Sequence, residues 1–322
     1  MKKPWWALAG ALVLAGSAAI LAPAVASAAE PCQLSDDGDS CLERLPLAEG
    51  AALPIYRSYP LDEATDVTKA IIVVHGTGRN ADEYYDSVAQ TADAKTEVIA
   101  PWFQADEDDP ADGDAYWTNG DETSWKDGGN ALFPEGLSSF TATNELLKVL
   151  GDKQRFPNLT KITIVGHSAG GQFVQRYAAG GEVPEGTPVR YVTANPSSYL
   201  YFSPERPEST DDCDEYNDYK YGLDNMNEYM SGLGAEEIVK RYTSHDVTYL
   251  LGEEDVNQDH SIDDSCSAKT QGEHRLARGQ FYAKMIKDTY PDAPHTEVLV
   301  PGVGHDHGQM FNSEQGKAAI FD

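Results

Sequence analysis

Six short runs of aliphatic and β-branched residues recur along this chain, at 70–74, 96–100, 161–165, 189–194, 247–251 and 296–300. Between them lie longer stretches of helical period, at 81–92, 137–150, 169–179, 235–242, 271–288 and 307–319. Near-continuous apolar runs are what strands look like when both faces are covered, and parallel strands need crossover helices to connect them. The alternation therefore predicts an α/β protein, with a mostly parallel central sheet and helices on both faces. No internal repeat interrupts it.

Composition narrows the function classes. With 322 residues and 40% hydrophobic content, the chain has material for a full core, which excludes a disulfide-held miniprotein. A mean hydropathy of −0.48 excludes a multi-span membrane protein. Lys and Arg number 24 against 53 Asp and Glu, giving a formal net charge of −29. Such a field repels phosphate backbones and anionic lipid, so no nucleic-acid partner is expected. The carboxylates read as a solvated skin that keeps the protein soluble.

Residues 1–28 read as a secretory signal peptide. Lys2 and Lys3 precede an uncharged apolar stretch that ends in Ala26-Ser27-Ala28. An uncleaved anchor is the rival, but the Ala-x-Ala site and Pro23 favour cleavage, and no lipobox cysteine is present. The expected product is a free secreted protein with no stable membrane association. Export lets thiols pair, and four cysteines allow three connectivities. Cys32 and Cys41 lie nine apart in a polar segment and most naturally close a local loop in residues 29–50, which leaves Cys213 to pair with Cys266. The cysteines are scattered and form no CxxC, so no metal site is expected from them. The remaining residues, 51–322, form the main domain. Two long segments break its rhythm, 104–134 and 197–234, and such lengths suggest lids or binding loops. The second is read as a lid-like insertion.

The chemistry concentrates at KITIVGHSAGGQFVQRYAAG, where a strand runs into Gly166-His167-Ser168-Ala169-Gly170 and a helical pattern follows at once. That is the context a GxSxG nucleophile elbow requires. Glycine at 166 and 170 lets neighbouring backbone approach the strained turn on which Ser168 sits. The turn aims a helix N-terminus, including the Ala169 amide, at the space where an oxyanion would form. The plain alternative is a glycine-rich turn with an idle serine.

With these residues in place, the chain over about 50–320 resembles the α/β-hydrolase superfamily, in particular secreted bacterial and fungal serine esterases and depolymerases. The second carrier of the resemblance is IIVVHGTGRNADEYY, where a strand ends in His75-Gly76-Thr77-Gly78. In that family the loop after this strand supplies the other oxyanion-hole amide, which maps onto Thr77. A merely packed His75 in an ordinary loop is the alternative. The resemblance also implies a histidine after the last strand, and VLVPGVGHDHG offers His305, with His307 as the fallback. His167 is expected to be structural, and His245, His260, His274 and His295 lack the position or order. The acid is expected after the preceding strand, where Gly252-Glu253-Glu254-Asp255 matches the family's pattern. Asp255 is the choice, with Glu253, Glu254 and Asp259 close by. The order Ser168, Asp255, His305 is the one this fold uses.

One stretch has a competing reading. Asp255, Asn257 and Asp259 open an EF-hand-like run, but His260 stands where glycine belongs and Cys266 where a bidentate glutamate belongs. An acidic solvated loop is expected instead of a calcium site, since a ligating Asp255 could not also orient His305. Aromatics crowd both insertions, and Trp102, Trp125, Asn195 and Tyr199 are candidate substrate contacts, with lid packing as the bland alternative. The expected function is hydrolysis of a small or polymeric carboxylic ester by a Ser-His-Asp acyl-enzyme mechanism without a cofactor. A peptidase or acyltransferase with the same triad, and a catalytically silent module binding a glycan or protein, are the alternatives.

Overall fold

In a computed structural model, residues 1–2, 30–34, 39–62, 66–120, 124–258 and 262–322 are described. The signal-peptide reading falls almost wholly on 3–29, outside the described residues. Among those described, no helix is long and apolar enough to cross a membrane.

Among the described residues, ten strands follow in chain order: β1 (Leu42–Pro46), β2 (Ala52–Arg57), β3 (Lys69–Val74), β4 (Thr96–Pro101), β5 (Gln104–Ala105), β6 (Tyr116–Trp117), β7 (Lys161–His167), β8 (Val189–Ala194), β9 (Asp246–Gly252) and β10 (His295–Val300). The helices are α1 (Ala81–Ala89), α2 (Ser139–Gly151), α3 (Ala169–Gly180), α4 (Glu228–Leu233), α5 (Ala235–Ser244), α6 (Cys266–Lys269), α7 (Arg275–Thr289), α8 (His307–Asn312) and α9 (Glu314–Phe321).

Eight strands form one sheet in the order β1-β2-β4-β3-β7-β8-β9-β10. From β4 to β10 every neighbour pairs in parallel, while β2 runs antiparallel to both β1 and β4. Period-two alternation sends successive strand residues to opposite layers. Ile72, Val74, Ile162, Ile164, Tyr249 and Leu251 join the core that includes Phe140, Phe173, Tyr177 and Tyr282. Ile71, Val73, Val98, Val165, Val192 and Leu250 join the core that includes Tyr84, Tyr85, Met310 and Phe311. Helices α2, α3, α5 and α7 thus cover one face, and α1, α8 and α9 the other. The predicted α/β architecture is the observed one.

Some expectations need correction. Two strands were not expected: β1, an edge strand with charged residues and Pro46, and β2, which is buried but whose short apolar run is broken by Pro54. At the other margin, β10 is an edge strand with Thr296, Glu297 and Leu299 exposed, not a strand covered on both faces. The single helix expected over 307–319 is two. Ser313 ends α8 and caps α9, its Oγ accepting from Gly316 N at 2.9 Å.

Both long segments pack. Trp117 and Trp125 are fully buried, and Trp125 stacks on Phe103 with ring centroids 5.5 Å apart. Tyr199 and Tyr201 of the second insertion are buried against Tyr282. Disulfides join Cys32 to Cys41 and Cys213 to Cys266, so the second insertion is tied to the segment after β9 as the spacing suggested.

Candidate active site

The carboxyl ends of β3, β7, β8, β9 and β10 deliver the loops that meet around Ser168. Directly after β7, the Ser168 backbone has φ 61° and ψ −120°, a conformation an L-residue rarely adopts. The neighbours show why the elbow needs its glycines. A Cβ on Gly166 would overlap the Gly170 carbonyl, and one on Gly170 would overlap the Val74 carbonyl and lie 2.6 Å from that of His75. Ser168 N donates to Ala194 O at 3.0 Å, which fixes the turn against β8.

His305 connects this hydroxyl to a buried carboxylate. Ser168 Oγ lies 3.0 Å from His305 Nε2, and His305 Nδ1 lies 2.7 Å from Asp255 Oδ2. A carboxylate only accepts, so Nδ1 carries the proton and Nε2 is left to accept from the serine. Asp255 is almost fully buried. Its other oxygen faces Arg275 Nη1 at 3.4 Å, and Arg275 Nε donates to Ser197 Oγ at 3.3 Å. The sequence reading missed Arg275. Its one signal is position: a cation in the first turn of α7 opposes the helix dipole, so another contact has to hold it there.

The loops that bear Asp255 and His305 are fastened to one another. Glu253 N donates to Val300 O at 3.1 Å and Glu254 N to Val303 O at 2.9 Å. Asn195, itself in the left-handed region at φ 43°, donates Nδ2 to Gly304 O at 3.1 Å and accepts from Gly252 N at 2.9 Å. It clamps both loops from behind.

Thr77 and Ala169 both line a cavity of about 260 Å³ over Ser168. Ala169 N is the first of α3, among the four amides a helix leaves without an internal acceptor. The Thr77 loop is held by Arg79, whose Nη1 donates to Thr77 O at 3.0 Å while its Nε pairs with Asp108 Oδ2 at 2.5 Å. Asn119 Nδ2 also donates to Thr77 O at 3.3 Å. His75, just before, is a packed residue. Phe103 N donates to its Nε2 at 3.0 Å, and its Nδ1–H donates to Gly76 O at 2.9 Å. Burial pushes it down to about 4, so it stays neutral at pH 7. His167 lies behind His305 with ring centroids 4.5 Å apart, and burial also holds it well below the ordinary histidine value.

The remaining candidates sit elsewhere. His307 stacks on Tyr84, with centroids 4.1 Å apart and an interplanar angle of 9°. Glu253 and Glu254 are exposed, and Asp259 and His260 lie outside the described residues. Asp255, the first residue of the EF-hand-like run, is engaged by His305 and Arg275. Of the expected substrate contacts, Trp125, Asn195 and Tyr199 are fully buried, Trp125 and Tyr199 in aromatic packing and Asn195 in the clamp. Trp102 packs on Tyr56, 6.3 Å between centroids, within the core on the α1 side. Ser197 of the Asn195–Tyr199 segment does line the cavity.

No family model and no curated protein matches this chain by sequence. Solved structures do match by shape. Poly(aspartic acid) hydrolase-1 from Sphingomonas sp. KT-1 superposes with a TM-score of 0.62 at 23% identity, over 87% of this chain and 98% of that one. LpqC, a poly(3-hydroxybutyrate) depolymerase from Bordetella parapertussis, does so with a TM-score of 0.61 at 23% identity, over 84% and 86%. The chain has the α/β-hydrolase fold. Within an α/β-hydrolase fold, the elbow after β7, the loop after β9 and the loop after β10 are the three strand ends from which side chains converge here.

Proposed function

We propose that this protein is a secreted serine hydrolase that cleaves a carboxylic ester through an acyl-enzyme, with Ser168 as nucleophile, His305 as base and Asp255 as the acid that orients it. The observation that carries the reading is the continuous relay from hydroxyl to imidazole to carboxylate, 3.0 and 2.7 Å long, beside an elbow cavity. As Ser168 Oγ attacks the carbonyl carbon, its proton passes to His305 Nε2. The imidazolium is stabilised by Asp255. The carbonyl oxygen becomes an oxyanion facing the Thr77 and Ala169 amides, which are fixed before the reaction and need no reorganisation. Collapse of the tetrahedral species expels the alcohol, which takes the proton back from Nε2. Water then repeats the sequence on the acyl-serine and releases the acid.

Two disulfides and the acidic surface support an oxidising, extracellular setting. Ester against amide is a matter of leaving group, which the relay does not discriminate. The two similar structures bear the names of a polyester and a polyamide hydrolase, so the substrate panel includes poly(3-hydroxybutyrate) and poly(aspartic acid) beside short aryl esters.

A fluorophosphonate probe is expected to label the mature protein at Ser168. Ser168→Ala removes the label and lowers ester hydrolysis by roughly 10⁴-fold or more. A folded wild-type protein that neither reacts with the probe nor turns over any of the panel is the silent binding module instead.

A further inference from the structure

The cavity over Ser168 is unlike an ordinary acyl pocket. Ligand pockets are mostly apolar with a few polar groups. Here, among the described residues, only Ala169 and Ile262 of the eleven that line it are apolar. The hydrogen-bond inventory of the polar ones is lopsided. Gln172 lies one helical turn after Ser168. Its Oε1 accepts from Ser198 Oγ at 2.9 Å and from Arg176 Nη1 at 3.4 Å, and because arginine only donates, the amide orientation is fixed. The Nε2 donors of Gln172 make no hydrogen bond to a described residue. Ser197 Oγ accepts from Arg275 Nε, which leaves its own O–H as a donor. Lys220 adds an almost fully buried ammonium, set 4.0 Å from Asp127 Oδ2.

The acceptors, by contrast, are consumed. Asp263 takes Tyr221 Oη at 2.9 Å, Ser265 Oγ at 2.8 Å and Ser265 N at 3.2 Å. Asp264 also lines the cavity and is exposed to solvent. Among the described residues, the buried part of the wall therefore offers more open donors than acceptors. An alkyl chain entering it would strip water from these donors without replacing their hydrogen bonds, and each buried donor left unpaired opposes binding.

Resting on the hydrolase reading above, we propose that this cavity selects acyl groups carrying a second acceptor oxygen, a carbonyl or carboxylate, close to the scissile carbonyl. The Gln172 amide and the Ser197 hydroxyl bind that oxygen, and the Lys220 ammonium contributes positive charge beside it. Polymers with a carbonyl in every repeat fit this wall, and long-chain fatty esters do not.

The test compares three 4-nitrophenyl esters of similar acyl length, corrected for spontaneous release: hexanoate, the methyl ester of glutarate, and glutarate with a free carboxylate. Wild-type kcat/KM is expected to be about tenfold or more higher for both glutarate esters than for hexanoate. In Gln172→Leu that ratio falls toward one. A carboxylate ester that outpaces the methyl ester, with the gap closed by Lys220→Gln, assigns the oxygen to an anion; equal rates assign it to a neutral carbonyl. Wild-type preference for hexanoate overturns the proposal even if a variant fails to fold, and a ratio unchanged in folded Gln172→Leu removes Gln172 from it. Probe labelling of Ser168 in the same samples separates the two readings. Labelled protein with the wrong preference sinks only this inference, and unlabelled protein sinks the hydrolase itself.

Discussion

Arg275 shows what a motif cannot carry. The elbow is readable because its glycines are demanded by contacts within a few residues of Ser168 and with the adjoining strand end. Arg275 reaches Asp255 across 20 residues of sequence, and no spacing rule encodes that. Gln172 was equally silent: a glutamine in an otherwise ordinary helix start gains meaning only when Arg176 and Ser198 turn its amide toward the cavity. Asn195 reads in the sequence as a strand-end substrate contact, and only the structure shows the two loop bonds that occupy its side chain. Arg275→Met leaves Asp255 as a buried carboxylate with one partner fewer, and losing one member of a buried pair costs about 3–5 kcal/mol. The expected result is a lower melting temperature and a kcat reduced about 10- to 100-fold with KM within about twofold. Arg275→Lys restores part of both. A kcat that does not change while stability falls makes Arg275 a structural residue only.

Among the elements, legibility followed burial. The runs that became β3, β4, β7, β8 and β9 were found to within two residues, because strands covered on both faces must be apolar throughout. β1 escaped for the complementary reason, β2 because Pro54 and Arg57 interrupt a short apolar run, and α4 and α6 are too short to show a period. The aromatic insertions were visible as composition, but composition does not say which way a ring faces. Most of these rings went inward: Phe173 of α3 packs against Phe103, Trp125, Phe140 and Tyr177, so the helix that starts at the elbow is anchored by a ring cluster. Phe173→Ala is expected to cost about 3–5 kcal/mol, measured by denaturant unfolding. Because the cavity forms behind the face that carries Ser168, the variant should also lose activity before it unfolds globally.

For the whole molecule, stability has opposing pH dependences. His75 and His167 are buried neutral, so between pH 6.5 and about 4 the unfolded chain takes up protons that the folded chain refuses, and stability falls as pH falls through that window. Glu97 acts in the other direction. Burial pushes its carboxyl up to about 8 from 4.5, although Ser58 N and Tyr59 N donate to its Oε1 at 3.0 and 3.2 Å. Above pH 4.5 the unfolded chain ionises while the folded chain does not, so stability falls as pH rises toward 8. Melting temperatures of wild type and Glu97→Gln at pH 5 and pH 8 test this. The variant should gain on the wild type as pH rises, and a constant difference would remove Glu97 from the account.

The fastenings around the site divide its parts into two blocks. Asp255 and His305 travel together, tied loop to loop and clamped by Asn195, whereas Thr77 belongs to a separate assembly moored through Arg79 to Asp108. Ser168 is where they meet. In the proposed mechanism, proton transfer and charge accommodation therefore rest on separate blocks, with the turn at Ser168 as the shared fulcrum.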